Sequence, residues 1–214
     1  MAYLIDGSYF QRELFVPNAD DTERSAYTEL QEFIDDKTRL LLREVLGYAL
    51  FKDLDSNITN GVLDVGAPQK WLNLVNGVEY VESGNTYYWE GLLVQEGAFK
   101  KSLLANFVFY HWLYYNQSTM SGVGEVVLNA KNAVGINSTQ RLTAVWNQFV
   151  GMYQGKQTKY TYSEYRRNGI KVIDWVGNNT NDYYSSLIMF LSHKDTDYPD
   201  APLKLYKVIN QFGL

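Results

Sequence analysis

The sequence predicts a mainly α fold: a helical bundle of about four to five helices with a small β-hairpin, insertion loops and extended terminal arms. Three observations predict it. Apolar residues recur at three- and four-residue steps in several long stretches, clusters of Gly, Asn and Ser separate those stretches, and a segment containing proline lies near each end. With 214 residues and 46% hydrophobic content, the chain can bury one sizeable core without a disulfide or a metal.

Residues 1–20 are interpreted as an N-terminal arm whose apolar groups either pack on the chain's own domain or reach a neighbour. The clearest helix follows, because Asp20, Asp21 and Thr22 are cap candidates ahead of a long apolar stripe. The stripe consists of Leu30, Phe33, Ile34, Leu41, Val45, Tyr48 and Ala49. Gly47 predicts a kink or fraying near the end of this helix, before a polar loop.

A short helix is expected from Gln69 to Val75, since Pro68 suits the first turn of a helix. Residues from Val78 to Trp89 predict a small hairpin or ordered loop, because strand-type residues flank a Ser-Gly-Asn turn. A second long helix is expected from Ala98 to about Asn116. It is apolar on nearly every side and should therefore be the central, buried helix.

The rest of the chain alternates between polar stretches and short patterned segments. Gly124 to Leu128 is a strand candidate, and helical spacing returns from Ser138 or Thr139 to Tyr153. A strand from Ile170 to Val176, a helix from Asp182 to His193 and an extended tail follow. The predicted organisation is an arm (1–20), a helical core domain (21–154), a basic Tyr-rich connection and strand (155–176), and a C-terminal helix with an extended tail (177–214).

Composition argues against most enzymatic chemistry. The absence of Cys excludes thiolate metal sites and Cys nucleophiles, and two His leave little for an imidazole network. A formal net charge of -5 and a pI near 5.1 argue against binding nucleic acid or anionic lipid over the whole surface. We find no signal-peptide pattern and no membrane-spanning stretch, so a soluble protein made in a cytosol is expected.

Several patterns imitate functional motifs, and each lacks something that its chemistry requires. Gly122-Val123-Gly124 lacks the third glycine and the following helix of a dinucleotide turn. Asp53-x-Asp55-x-Asn57 lacks the glycine and the bidentate Glu of a calcium loop. Adjacent Asp35 and Asp36 point about 100° apart on a helix, and His111 has no spaced ligand partner. The sequence therefore predicts no catalytic residue, no cofactor and no metal site.

The electrostatic asymmetry of the chain is its most informative feature. Five basic residues against Glu164 leave segment 155–171 at +4, whereas residues 1–56 hold twelve acids and six bases. The Tyr residues of the basic segment could stack on single-stranded bases, could dock on the acidic helical face of another subunit, or could belong to a solvated loop without a partner. The 18 Tyr of the chain fit either interface contacts or the codon bias of an AT-rich genome.

The order of elements resembles a known family. The residues concerned are Leu30-x-x-Phe33-Ile34, Leu40 to Tyr48 with its Leu-Gly-Tyr end, Trp71-Leu72-x-Leu74-Val75-x-Gly77, Tyr87 to Leu92 with Trp89-Glu90-Gly91-Leu92, and Ser102 with Phe107 to Tyr115. Over roughly residues 25–155 this pattern is similar to the head–tail connector (adaptor) proteins of tailed bacteriophages. Relatives from crAss-like and other Bacteroides-type phages are included in the resemblance.

The resemblance implies a virion structural protein at the head–tail interface, with no catalytic residues. Such a protein forms a homo-oligomeric ring of about a dozen copies that joins the portal to the next tail or ring protein. It extends the channel through which DNA passes without specific binding, and it has no membrane partner. Alternatives are another tail ring, a tail completion protein, a small enzyme or a single-strand-binding protein. The candidate subunit or partner contacts are Phe10, Leu14, Phe15, Tyr160, Tyr162, Tyr165, Arg166, Arg167, Tyr206 and Phe212.

Overall fold

The computed structural model describes residues 3–17, 25–116, 119–121, 124–126, 139–155, 170–173 and 179–209. The helices in these residues are α1 (Ser25–Asp55), α2 (Gln69–Asn76), α3 (Leu103–Tyr115), α4 (Thr139–Gln154) and α5 (Leu187–His193). Among the described residues, no helix combines the length and the apolar character needed to cross a membrane.

Strands account for much of the remaining described backbone. They are β1 (Ile58–Thr59), β2 (Val62–Leu63), β3 (Val78–Glu82), β4 (Asn85–Trp89), β5 (Leu93–Glu96), β6 (Phe99–Ser102), β7 (Thr119–Ser121), β8 (Gly124–Val126), β9 (Ile170–Ile173) and β10 (Asn179–Tyr184). A four-stranded mixed sheet has the order β3-β4-β10-β9, in which β4 and β10 are parallel and the other two pairings antiparallel. The pairs β1–β2, β5–β6 and β7–β8 are antiparallel two-stranded sheets.

The prediction of a mainly α helical bundle is wrong, because the fold is mixed α/β. One hairpin was expected, β3–β4, and it is present with Val78 opposite Trp89. Its integration into a larger sheet depends on β10, which pairs with β4 about a hundred residues away in sequence. Hydrophobic periodicity does not report such a long-range pairing between short strands.

Two helix starts were misplaced for a related reason. The helix expected from Ala98 begins at Leu103, because Phe99–Ser102 pairs with Leu93–Glu96 and the Ser102 side chain caps the helix by accepting from Leu104 N. The helix expected from Asp182 begins at Leu187, after β10, and Ser186 is its N-cap. In both places a serine marks the true boundary between strand and helix.

Other predicted elements are confirmed. Helix α2 spans Gln69–Asn76 with Pro68 as its N-cap, and α4 begins at Thr139. Helix α3 is central: its first seven residues are buried, and it packs against both α1 and α4. The cap candidates of α1, Asp20 to Thr22, lie outside the described residues.

The predicted kink at Gly47 is confirmed, since this residue interrupts α1 with φ of 76° and ψ of 172°. Glycine is suited to this joint because positive φ strains other residues. A Cβ at position 47 would also lie 3.3 Å from Cδ of Pro202, near the end of the chain. The joint in the longest helix is therefore covered by the segment that leads into the C-terminal tail.

The N-terminal segment is part of the chain's own core. Residues Gly7–Tyr9 and Arg12–Leu14 form 3₁₀ turns, and Leu4 N donates to Gly61 O at 2.7 Å. Its buried side chains are Tyr3, Leu4, Ile5, Tyr9, Phe10, Leu14 and Val16. Of the two options left open by the sequence, the described arm thus packs on its own domain.

Candidate functional site

The C-terminal tail (residues 204–209) lies in an extended conformation along one face of α4. Four α4 side chains bind it: Trp146, Asn147, Tyr153 and Gln154. They form two adjacent pairs seven residues apart, and seven residues are close to two helical turns. Both pairs therefore face the same way. We call this face, together with the Glu44 and Phe107 side chains beside it, the tail groove.

Two amide side chains recognise the tail backbone in the same manner. Gln154 donates from Nε2 to Tyr206 O at 2.8 Å and accepts from Tyr206 N at 2.9 Å. Asn147 donates from Nδ2 to Ile209 O at 2.9 Å and accepts from Ile209 N at 3.1 Å. A primary amide carries both a donor and an acceptor, so it can satisfy both backbone groups of one extended residue.

Two aromatic residues of α4 complete the set of donors. The Trp146 indole donates from Nε1 to Lys207 O at 2.7 Å, and the Tyr153 hydroxyl donates to Lys204 O at 2.7 Å. The carbonyls of residues 204, 206, 207 and 209 are therefore each bound by a side chain of one helix.

Tyr206 is the side-chain anchor of the tail. Its ring centroid lies 5.0 to 6.4 Å from the ring centroids of Tyr153, Phe149, Trp146 and Phe107. Three of these contacts are edge-on, which is a favourable geometry for aromatic pairs. The Tyr206 hydroxyl donates to Glu44 Oε2 at 2.6 Å, and Lys204 Nζ lies 2.8 Å from the same oxygen.

The charges at this anchor are coupled. Burial acts to raise the pKa of Glu44, but the hydrogen bonds from Lys204 and Tyr206 outweigh it and lower the pKa. Burial and the hydrogen bond to Glu44 raise the pKa of the Tyr206 hydroxyl. Glu44 is therefore a carboxylate and Tyr206 a neutral donor at neutral pH, which suits their hydrogen bond.

The tail has a period of three. Leu203, Tyr206 and Ile209 are partly buried, whereas Leu205 and Val208 are about half exposed, at 52% and 49%. In the part of the chain that the structure describes, the tail backbone makes no hydrogen bond to another backbone group, so its N–H and C=O groups are open to side-chain partners. The groove thus recognises an extended polypeptide, mainly through its backbone.

A cavity of about 500 Å³ borders the tail groove at Asn147 and extends along α4 towards β4, β6 and the start of α5. Trp89, Ser102, Gly151 and Ser185 contribute to its walls. Its charged groups, Glu90 and Lys101, pair with each other at 2.9 Å. The two charges of the cavity therefore compensate each other.

A more open pocket of about 370 Å³ lies between α1 and α3 and is lined by Glu32, Phe33, Asp36, Lys37, His111, Tyr114 and Tyr115. Burial lowers the pKa of His111 to about 4, with Lys37 acting in the same direction. The imidazole is therefore neutral at neutral pH, and it contacts the Phe107 ring edge-on at 4.5 Å. It lies at a boundary between the core and an acidic, aromatic surface.

The residues that resemble a calcium loop and a dinucleotide turn have other roles in the structure. Asp53 pairs with Lys70 at 2.7 Å and Asp55 with Arg39 at 2.8 Å, which are ion pairs rather than a calcium loop. Gly124 begins a strand of a hairpin, not a helix. Among the residues that the structure describes, no group of His, Cys, Asp and Glu could hold a metal ion.

The predicted contact residues are found in three different settings. Phe10 and Leu14 are buried in the chain's own core, which removes them from any surface, while Phe15 is 56% exposed. Tyr206 occupies the tail groove. Tyr160, Tyr162, Tyr165, Arg166, Arg167 and Phe212 lie outside the described residues. Phe10 and Leu14 belong to the hydrophobic core cluster against which Tyr206 packs.

The groove residues themselves were missed. Asn147 and Gln154 were not singled out from the sequence, although their seven-residue spacing, next to Trp146 and Tyr153, was visible there. Comparison with protein-family models, with curated proteins and with solved structures finds no match for the chain.

Proposed function

We propose that this protein is a structural subunit of a tailed-phage virion, which assembles into a ring between the portal and the tail and extends the DNA channel. The observation that carries the proposal is the tail groove. Its polar side chains are used to bind extended polypeptide, and the aromatic side chains around them form a contact surface for one tyrosine. Binding polypeptide is the chemistry that an assembly subunit requires.

Two exposed patches support an assembly of head-to-tail type. Near the first half of α1, Tyr114 and Tyr115 are exposed beside Glu32 and Asp36. Beyond the other end of α1, Val62 and Val65 are exposed, the latter at 96%. The patches differ in composition, so they suit contacts between unlike surfaces of successive copies. Repeated with a closing rotation, such contacts form a ring.

The acidic, aromatic patch also suits the charge of the predicted subunit contact at 155–171. That segment carries a net charge of +4 and three of the candidate Tyr residues. In the proposed ring, the basic segment of one copy lies against Glu32 of the next, since Asp36 is paired with Lys37 at 2.7 Å. Opposite charge fixes register and speeds association more than it adds affinity.

Native mass spectrometry of the purified chain, alone and with a portal protein, tests the proposal. A ring, or a ring that forms on the portal, is expected. A monomer in both conditions contradicts it, and a monomer that binds oligonucleotide with steep salt dependence supports the single-strand-binding alternative instead.

A matched pair of variants sharpens the experiment. Val65→Asp places a charge in one of the two patches and should abolish the ring without unfolding the chain, because the side chain is almost fully exposed. Val81→Asp, at an exposed position of β3 outside both patches, should leave the ring intact. Equal behaviour of the two variants contradicts the patch as an interface.

A further inference from the structure

The tail is attached to its groove in the way a bound peptide would be. Every described hydrogen bond that holds residues 204–209 comes from a side chain or goes to one. Within the described residues, no backbone–backbone hydrogen bond joins residues 199–209 to the rest of the chain. The same contacts form whichever copy of the chain supplies the tail.

The link to the tail is strained. Tyr198 is buried and donates from its hydroxyl to Lys70 O, which fixes the start of the link. In the hinge (residues 199–203), Asp200 and Leu203 have φ of 58° and 47°, a region that costs Asp little but is unfavourable for Leu. Pro199 and Pro202 restrict the alternatives. Strained, short hinges favour the exchange of a terminal element between identical subunits.

We propose that the tail groove is a binding site for an extended peptide, and that its occupant in the assembly is the C-terminal tail of a neighbouring copy. The choice of a neighbouring copy as the partner rests on the ring proposed above. Opening the hinge releases the strain at Asp200 and Leu203, while the groove contacts are kept in the partner. The exchanged state therefore differs from the closed monomer mainly in the hinge.

The length of the hinge allows the tail to bind only to a copy that lies close by. Five residues span at most about 17 Å when fully extended. The exchange therefore requires a neighbour whose groove lies near Tyr198 of the donor, as in a ring of successive copies. Each copy then gives one tail and receives one, and ring closure leaves no groove empty. The half-exposed Leu205 and Val208 would lie at the boundary between donor and acceptor.

A complementation experiment tests the exchange. The groove variant Asn147→Ala/Gln154→Ala keeps an intact tail, and the tail variant Tyr206→Ala keeps an intact groove. Neither alone can form the complete contact, in its own chain or between copies. Mixed at equal concentration, the two can form it between chains, so native mass spectrometry should detect a heterodimer that neither variant forms with itself. A mixture that behaves as the sum of its parts overturns the proposal, as do single variants that assemble like the wild type.

A milder pair of variants keeps the proposal testable if the first pair folds poorly. Asp200→Gly accepts its positive φ without strain and should stabilise the closed monomer, raising the protein concentration at half-assembly about threefold. Asp195→Gly, an exposed position of the described chain without positive φ, should leave that concentration unchanged. Equal effects of the two variants, or none, contradict a strained hinge as the cause.

The outcomes separate this inference from the proposed function. A wild-type ring that is indifferent to groove, tail and hinge variants overturns tail exchange and leaves the ring proposal standing. Complementation that produces pairs, with a wild type that never exceeds two copies, supports tail exchange and overturns the ring.

Discussion

The two terminal segments are bound to the domain by different interactions: buried side chains hold the N-terminal segment, and hydrogen bonds to the backbone hold the C-terminal tail. The N-terminal segment places large apolar side chains in the core, and Phe10 is only 2% exposed. The C-terminal tail is held by its backbone, through Asn147 and Gln154. Both were predicted as extended arms, because both combine short apolar groups with a proline. An arm therefore becomes part of a fold through the density of its buried side chains, whereas a tail with exposed Lys204 and Lys207 remains a bound peptide.

The largest effect is expected when one buried side chain of the N-terminal segment is removed. Phe10→Ala should lower the free energy of unfolding by about 3–5 kcal/mol, because it leaves a cavity in a packed core. Urea denaturation followed by circular dichroism measures the effect. Phe15→Ala, five residues on and exposed, is the control and should change stability by about 0.5 kcal/mol or less. If Phe10→Ala changes the free energy of unfolding only slightly, the N-terminal segment is bound to the domain as loosely as the tail, and the comparison is wrong.

The equivalent truncation of the tail should cost less. Tyr206→Ala removes the aromatic anchor, but the tail can leave the groove and its backbone can bind water, so we expect a loss of about 1–2 kcal/mol. Tyr206→Phe, which removes only the hydroxyl that binds Glu44, should cost about 1 kcal/mol. Urea denaturation compares them with Phe10→Ala. If Tyr206→Ala lowers the free energy of unfolding as much as Phe10→Ala does, the tail contributes to stability as a core segment does, and the comparison is wrong.

Single amide variants should act locally. Gln154→Ala and Asn147→Ala should each lower stability by about 0.5–1.5 kcal/mol. Native-state hydrogen exchange should distinguish them: the Tyr206 amide exchanges faster in the first variant and the Ile209 amide in the second. Each variant is the control for the other. Loss of protection at both amides in both variants would indicate that the tail docks as one cooperative unit.

The smallest effect is expected from pH. The pKa of Glu44 is lowered in the folded chain, so its contribution to tail docking is complete above its ordinary value of 4.5 and is lost as the pH falls through the lowered value. The indole N–H resonance of Trp146, whose proton binds Lys207 O, reports docking by NMR. In Glu44→Gln this acid transition should disappear. If it persists, another group controls the docking.

His111 titrates over a neighbouring range but acts on the whole domain. Its pKa is lowered from 6.5 to about 4 by burial, so the unfolded chain binds a proton that the folded chain does not as the pH falls from 6.5 towards 4. Stability falls over that window. Because His111 also contacts Phe107 of the tail groove and interacts with Glu44, the Trp146 signal should follow both groups, and only the part that Glu44 controls should disappear in Glu44→Gln.

Elements that depend only on residues close together in the sequence could be predicted from it. The kink at Gly47, the start of α2 after Pro68 and the apolar α3 follow from residue type and helical spacing. The sheet was not predicted, because β10 joins β4 through Tyr183 opposite Tyr87, a pairing that neither segment specifies alone. Such pairing depends on what covers the two faces of the sheet.

Of the candidate site, only Tyr206 was named as a contact from the sequence. Tyr206 was predicted as a subunit or partner contact, whereas in the structure it anchors the tail in the groove of its own chain. The acceptor could not be inferred, because polar residues on a helix are usually solvated and no local rule indicates which of them face another segment. Glu44 lies 162 residues from Tyr206 in sequence.

The contact between Gly47 and Pro202 links the tail to the mechanics of the longest helix. Pro202 covers the joint of α1 at Gly47, and Lys204 binds Glu44 one turn before it. Residues 202–204 thus contact the bend itself and the helical turn that precedes it. When the tail leaves the groove these contacts are lost, so we expect the angle between the two halves of α1 to depend on whether the groove is occupied.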